Sequence, residues 1–186
     1  MLKPLIAALM LTLAPLAAPA QIAEADRAVA LDDAFAQLLV APREDMARAA
    51  EAEIWDLWFI GPDAEASLRL REASAYIRAG AYDRARRSLD AVIELHPGFA
   101  EAWNQRAFAK FLDGDLFGSL ADIEETLKRE PRHFGALAGR AQIETRLGRL
   151  EEATKTMGEV GRVHPWMARR SPIPADPPVG EAGEEL

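Results

Sequence analysis

Three prolines and three glycines recur every 34 residues, and this spacing constrains the fold more than any other feature of the chain. The two series are Pro97, Pro131 and Pro165, and Gly80, Gly114 and Gly148. A period of this length is typical of stacked helical hairpins, in which glycine ends one helix and proline ends the next. We therefore expect an all-α fold, a right-handed α-solenoid of about three helical hairpins.

Small residues keep the same period, which supports the prediction of paired helices. They occupy two slots, Ala73, Ala107 and Ala141 in the first, and Ala85, Ser119 and Ala153 in the second. Because one slot faces the other inside each hairpin, small side chains there let the two helices approach closely. We place the helices near residues 66–79, 82–95, 100–113, 116–129, 134–147 and 150–163.

The residues before the repeats predict one further, irregular helical hairpin. Residues 21–62 hold a polar lead-in, an apolar stripe from Leu31 to Leu39, a break at Pro42, and a second stripe that is widened by Trp55 and Trp58. A single hairpin cannot bury its own apolar face, and a neighbouring unit normally covers it. We expect this N-terminal hairpin to cover the open end of the first repeat.

Both ends of the chain are predicted to lie outside the repeats. Residues 1–20 have the layout of a secretion signal, with Lys3, an apolar run, and a small-residue motif at Ala18–Ala20. The run is too short to span about 30 Å of hydrocarbon, so we predict cleavage before Gln21 and export, most simply to a bacterial periplasm. An uncleaved anchor or a disordered start is the alternative. Residues 167–186, rich in proline and ending in acidic residues, are predicted to be a disordered tail.

Composition and charge exclude several classes of function. The chain has no cysteine, which removes disulfides, zinc thiolate sites and cysteine nucleophiles. Its net charge of −8 argues against nucleic acid as a partner. No second apolar run approaches the length of a membrane span. His96, His133 and His164 are the only histidines, and we expect them to be exposed turn residues that bind no metal. No phosphate-binding loop or catalytic motif is present, so we predict neither an enzyme nor a cofactor.

The repeat resembles that of the tetratricopeptide repeat (TPR) family, in which W-x2-L-G-x2-Y is followed by A-x3-F and then P. The second unit is the closest to this pattern, with Trp103, Arg106-Ala107, Lys110, Ser119, Ile123 and Pro131. The resemblance covers residues 66–99, 100–133 and 134–166 as three repeats. It departs from the family in the leucine slot, which Glu72, Arg106 and Arg140 occupy, and there we expect weaker packing of the first helix of each unit.

The resemblance implies a non-catalytic scaffold or adaptor that binds a protein or peptide on its concave face. Carried over by repeat position, that face comprises Leu70, Arg71, Ser74, Ile77, Arg78, Asn104, Gln105, Phe108, Phe111, Leu112, Gly135, Ala138, Gly139, Gln142, Thr145 and Arg146. Leu70 and Ser74 stand where relatives that grip a terminal carboxylate need lysine and asparagine, so that clamp is not matched.

Phe108 and Phe111 instead indicate an apolar groove edged by arginines, unless these two rings pack between repeats. The alternative function is a structural subunit or accessory factor of an envelope assembly. Such a subunit would use the convex face or the N-terminal tryptophans.

Overall fold

A computed structural model describes residues 24–173, which form nine α-helices and no strand. The predicted all-α fold is confirmed, and the repeat helices begin and end within two residues of the predicted bounds. The helices are α1 (Glu24–Val40), α2 (Glu44–Trp58), α3 (Ala64–Arg78), α4 (Tyr82–Leu95), α5 (Ala100–Leu112), α6 (Leu116–Arg129), α7 (Phe134–Arg146), α8 (Leu150–Val163) and α9 (Pro165–Arg170). The predicted signal and the tail from residue 174 lie outside the described residues.

The glycine period is a backbone requirement of the turns inside the three hairpins α3–α4, α5–α6 and α7–α8. Gly80, Gly114 and Gly148 have φ values of 71°, 88° and 74°, a region that a β-carbon makes costly. In the first turn, the Gly80 and Ala81 amides donate to the Ile77 and Tyr76 carbonyls at 3.0 and 2.9 Å. This pair of hydrogen bonds is the Schellman arrangement that ends a helix.

The small-residue slots lie where the two helices of each hairpin cross. All six residues are buried: Ala73, Ala85, Ala107, Ser119, Ala141 and Ala153. Ser119 keeps its hydroxyl in this apolar setting because Oγ donates to the Ala107 carbonyl at 2.8 Å. A larger side chain at these slots would push the helices apart.

The polar residues in the leucine slot pair with polar residues on the second helix of the same hairpin. The pairs are Glu72 with Ser88, Arg106 with Asp122, and Arg140 with Thr156, and each spans 16 positions. Arg106 forms a two-pronged contact with the buried Asp122 at 2.8 and 2.7 Å. The expected weakening of packing is therefore offset by a polar bridge that substitutes for the apolar contact.

Trp103, the tryptophan of the repeat pattern, is half-buried. Its indole Nε1 donates to the Pro97 carbonyl at 3.0 Å, and the Arg106 and Arg129 guanidiniums lie 4.8 and 4.6 Å from its ring centre. It therefore ties the turn between the first two repeats to α5 and α6, the two helices of the second repeat. Pro165, which occupies the same repeat position as Pro97, begins α9. Helix therefore extends to Arg170, into residues 167–170 that were predicted to belong to the disordered tail.

The N-terminal hairpin α1–α2 does not simply cover the open end of the first repeat. Phe59 at its end packs against the first-repeat core, but its tryptophans lie against His133 and Phe134, at the turn between the second and third repeats. At its other end, the Trp166 indole of α9 donates to the Ala41 carbonyl at 3.2 Å. Helix α2, about 22 Å long at 1.5 Å per residue, thus runs along the edge formed by the turns between repeats. None of the described helices has the length and hydropathy needed to span a membrane.

Candidate functional site

A pocket opens on the concave face between α5 and α7, with a volume of about 280 Å³. We call it the groove pocket. Its lining contains eight of the residues predicted for this face, Asn104, Gln105, Phe108, Phe111, Gly135, Ala138, Gly139 and Gln142. Its lining also includes small or aliphatic side chains, among them Ala107, Ile123, Ala136 and Ile143. Small residues on α5 and α7 thus create the cavity, and longer side chains surround it.

The two phenylalanines of α5 have different environments. Phe108 is 47% exposed and forms part of the pocket wall, so it is available to a ligand. Phe111 is half-buried against the core that contains Ile143, and the Arg146 guanidinium lies 4.1 Å from its ring centre. The two alternatives stated for these rings therefore apply one to each: Phe108 faces the groove, and Phe111 packs between the second and third repeats.

Trp55, which the sequence did not mark as a site residue, supplies a wall of the groove pocket from outside the repeats. It reaches the pocket because Gly135 has no side chain. A β-carbon at Gly135 would lie 2.6 Å from Trp55 Cη2, closer than real contacts allow. The signal in the sequence was a glycine in the first turn of a helix, a position where glycine has no intrinsic advantage.

A buried carboxylate behind the pocket fixes its polar side chains. Glu101 is 1% exposed and accepts three hydrogen bonds: from Asn104 Nδ2 at 3.1 Å, Gln105 Nε2 at 2.7 Å and His133 Nε2 at 2.8 Å. Because a carboxylate only accepts, the amide nitrogens must face it. The carbonyl oxygens of Asn104 and Gln105 are then the ends that can point away from Glu101. Sequence analysis missed Glu101, since a glutamate in a first helical turn is ordinary.

Three of the predicted site residues are arginines at the margin of the pocket rather than in its lining. Ser74 Oγ lies 3.3 Å from Gln105 Oε1, so this face of α3 meets the pocket side of α5. Arg71 and Arg78, three and four residues from Ser74, share that face and are exposed. Arg146 reaches the pocket through its stacking on Phe111. Arg146 thus contacts a residue of the pocket lining, and Arg71 and Arg78 are exposed on the neighbouring helix α3.

The expectation of exposed histidines is wrong: two are buried and the third is half-buried. His133 and His164 are both 0% exposed, while His96 is half-buried with Nε2 2.9 Å from Asp63 Oδ2. His133 and His164 cap α7 and α9, since their Nδ1 atoms accept from the Ala136 and Met167 amides at 3.1 Å. The physical reason is the N-terminal hairpin, which covers the turns that contain them.

The two buried histidines and the three aromatic residues packed around them form one group, which we call the edge cluster. Its members are Trp55, Trp58, His133, Phe134 and His164. The Trp58 ring stacks on His133, with centroids 3.9 Å apart and planes 8° from parallel. Trp58 is buried and Trp55 half-buried, so neither forms the free surface that the structural-subunit alternative would use.

Metal chemistry finds no support in the described residues. Within residues 24–173, no group of three or more potential ligand side chains is close enough to hold an ion. The Asp113-Gly114-Asp115 turn serves the helix instead, because Asp115 accepts from the Gly118 amide at 2.8 Å.

No protein-family model matches the sequence. A TPR repeat-containing protein of Rhizobium etli is 39% identical over 113 residues, which is 61% of this chain and 55% of that protein. The chain thus spans about half the length of the relative that it matches.

Among solved structures, the TPR2AB domain of yeast Sti1, in its pHSP90 complex, superposes with a TM-score of 0.52 and 17% identity. The match covers 74% of this chain and 55% of that one. The fold is therefore that of a TPR solenoid, and the similarity in sequence to the Rhizobium etli protein supports a TPR protein.

Proposed function

We propose that this chain is a non-catalytic interaction module that binds a segment of a protein or peptide in the groove pocket. The observation that carries the proposal is an open pocket on the concave face with Phe108 half-exposed in its wall. The named TPR neighbour comes from a complex with pHSP90, which supports a peptide-binding use of this fold.

The pocket supports binding because it is formed before the ligand arrives. Apart from Trp55, its walls belong to helices of the repeats, and its amides are oriented by the buried Glu101. A preformed site avoids much of the ordering cost that flexible binding surfaces incur. An aromatic side chain surrounded by well-packed residues is also the usual composition of a binding hot spot.

The chemistry of the pocket indicates what a ligand should carry. The apolar floor and the Phe108 and Trp55 rings suit one large apolar side chain. The margin, with Arg71, Arg78 and Arg146, suits carboxylates on either side of it. We infer that the preferred ligand is a segment with a bulky apolar residue between acidic residues, rather than a nucleic acid, whose phosphates the acidic chain repels.

A display library of random peptides, selected against the folded chain, tests this proposal. The expected outcome is enrichment of a large apolar residue flanked by acidic ones. Phe108→Ala should weaken binding of the selected peptide at least about tenfold. Phe117→Ala is the matched control, because Phe117 is 67% exposed and lies outside the pocket lining. Equal loss in both variants, or no enrichment, would contradict the proposal.

We also propose that the module acts after export, on the basis of residues 1–20 alone. The test is expression of the full sequence in a bacterium, followed by fractionation and N-terminal sequencing of the product. A product that begins at Gln21 in the periplasmic fraction would support export and cleavage. A cytoplasmic product that still begins at Met1 would contradict them.

A further inference from the structure

The wall that Trp55 adds to the groove pocket depends on a hairpin that is not part of any repeat. Helices α1 and α2 join the first repeat through residues 59–63, and the other attachments to the repeats are side-chain contacts along the turn edge. Trp55 therefore lines the pocket only while the hairpin lies on that edge. If the hairpin moved away, the pocket would lose one of its aromatic walls.

Four polar contacts hold the far half of the hairpin to the end of the solenoid, and two of them involve Glu51 of α2. Glu51 Oε2 lies 3.2 Å from His164 Nε2 and 3.3 Å from Arg170 Nη2. Arg170 also lies 3.4 Å from Glu44 Oε1. The Trp166 indole adds a hydrogen bond to the Ala41 carbonyl. His164 makes one of these contacts itself, and it caps α9, the helix that carries Trp166 and Arg170, which make the other three.

His164 is suited to this position only in its neutral form. Its Nδ1 accepts from the Met167 amide at 3.1 Å, which places the ring proton on Nε2; this atom lies 3.2 Å from Glu51 Oε2 without forming a well-aligned hydrogen bond. An imidazolium is a donor at both nitrogens, so protonation turns Nδ1 from acceptor to donor and removes the cap of α9. The ring is 0% exposed, so water would hydrate a positive charge on it poorly.

The groups around His164 determine the direction of its response to pH. Burial lowers the pKa of His164 below its usual value; Glu51 acts against this, and Arg170 adds to it. Phe134, whose ring centre lies 4.8 Å away on α7, contributes no charge. The pKa of His164 is lower in the folded chain than in the unfolded chain. The contribution of neutral His164 to the free energy of unfolding is therefore complete above the ordinary histidine pKa of about 6.5 and is lost as the pH falls below it.

We propose that the α1–α2 hairpin is a detachable wall of the groove pocket, and that protonation of His164 in mild acid releases it from the third repeat. Release removes Trp55 from the pocket and exposes the edge cluster. The consequence for ligand binding rests on the function proposed above, whereas the release itself concerns only the structure of the chain. At neutral pH the hairpin lies against the pocket, and in acid it is released.

Distance measurement between two nitroxide labels tests the release. The chain has no cysteine, so Val40→Cys and Leu150→Cys can be labelled specifically, at side chains that are 79% and 63% exposed. One label lies at the end of α1 and the other at the start of α8. At about pH 7.5 we expect one narrow distance distribution, and at about pH 5 a broad one with longer distances. An unchanged distribution would overturn the proposal.

Two controls separate release of the hairpin from other effects of acid. A second label pair, Leu68→Cys and Leu150→Cys, lies within the repeats and should give the same narrow distribution at both pH values. Broadening in this pair would mean that the whole solenoid unfolds, which would overturn a local release. His164→Asn keeps an oxygen able to cap α9 but has no titrating group. It should hold the short distance in acid, and a variant that still opens would exclude His164 as the sensor.

A binding measurement then connects the release to the pocket. The peptide selected against the wild-type chain should bind at least about tenfold more weakly at about pH 5 than at about pH 7.5, and His164→Asn should restore its binding in acid. If the display selection yields no peptide, the proposed function fails, yet a pH-dependent distance still supports release. Release without any change in peptide affinity would overturn the role of the hairpin as a pocket wall.

Discussion

The groove pocket and the edge cluster contain similar side chains but present them in opposite ways. Each combines aromatic rings with polar groups of α5 and α7. Trp55 belongs to both, and Glu101 hydrogen-bonds to residues of both. In the pocket, Phe108 is 47% exposed and the amides border open space. In the edge cluster, Phe134 and His133 are 0% exposed beneath the hairpin. Whether such a surface becomes a site or a core depends on what covers it.

This difference indicates where evolution of the molecule can change function and where it can only lose stability. Residues of the edge cluster contact several helices at once, so their replacement should cost folding free energy. Residues on the open side of the pocket contact few neighbours, so their replacement should affect binding and little else. The predictions below test this division, beginning with the largest expected effect.

Phe134→Ala should be the most damaging single substitution in the edge cluster. The ring contacts Phe35, Trp55, Trp58 and His164, and no part of it is exposed. Truncation leaves a cavity among rings that cannot all move, and should cost about 3–5 kcal/mol of unfolding free energy in urea titration. Phe117→Ala, at an exposed ring, should stay within about 0.5 kcal/mol. Similar costs at the two positions would break the comparison.

Glu101→Gln should separate the two regions through the residue that they share. The amide offers one acceptor oxygen where the carboxylate offers two, so one of its three donors loses its partner. An oxygen kept at the Oε2 position still accepts from Asn104 and His133, so Gln105 loses its partner. We expect a cost of about 1.5–3 kcal/mol, with weaker binding of the selected peptide because Gln105 loses its orientation. Glu124→Gln, on the exposed face of α6, is the control and should change neither quantity. Unaltered stability would show that the buried network contributes nothing.

Gly135→Ala should act at the boundary between pocket and edge cluster. The new β-carbon would lie 2.6 Å from Trp55 Cη2, so the indole must move. The expected cost is about 1–3 kcal/mol, together with a changed tryptophan fluorescence spectrum. At Gly98 an added β-carbon meets nothing within 4 Å, and Gly98→Ala should cause no loss of stability. An unchanged spectrum for the Gly135 variant would mean that Trp55 does not lie against this glycine.

Phe108→Ala should have the smallest effect on folding and a clear effect on binding. Nearly half of the side chain already contacts solvent, so we expect less than about 1 kcal/mol of lost stability by urea titration. The same variant should lose at least about tenfold in affinity for the selected peptide. A large loss of stability would place Phe108 in the core and remove the basis for a binding role.

The parts of the fold that sequence analysis predicted are those that depend on local backbone geometry. The turn glycines were found because their positive φ excludes most other residues, and the small slots were found because helix crossings admit no large side chain. The leucine slot was harder. Arg106 looked like a loss of packing, and only its partner Asp122, 16 residues away, shows that a polar bridge replaces it.

The candidate site was predicted in part for the same reason. Repeat position placed Asn104, Gln105, Phe108, Phe111 and Gln142 around one pocket, since equivalent residues of stacked repeats face the same side. It could not identify Trp55, Glu101 or the buried histidines. Their roles come from a hairpin that has no repeat phase, and no spacing in the sequence states where such a hairpin lies.

The sequence by itself determined an all-α solenoid, its turns, and several residues that line one pocket, because these follow from periodic contacts between near neighbours. The tertiary structure alone decided which residues of that face are open and which turn histidines are buried. The reason is that burial depends on the position of α1–α2, which is set by contacts between residues about a hundred positions apart, such as Asp32 with Arg132 at 2.7 Å. Local sequence specifies a helix, and distant contacts specify what the helix covers.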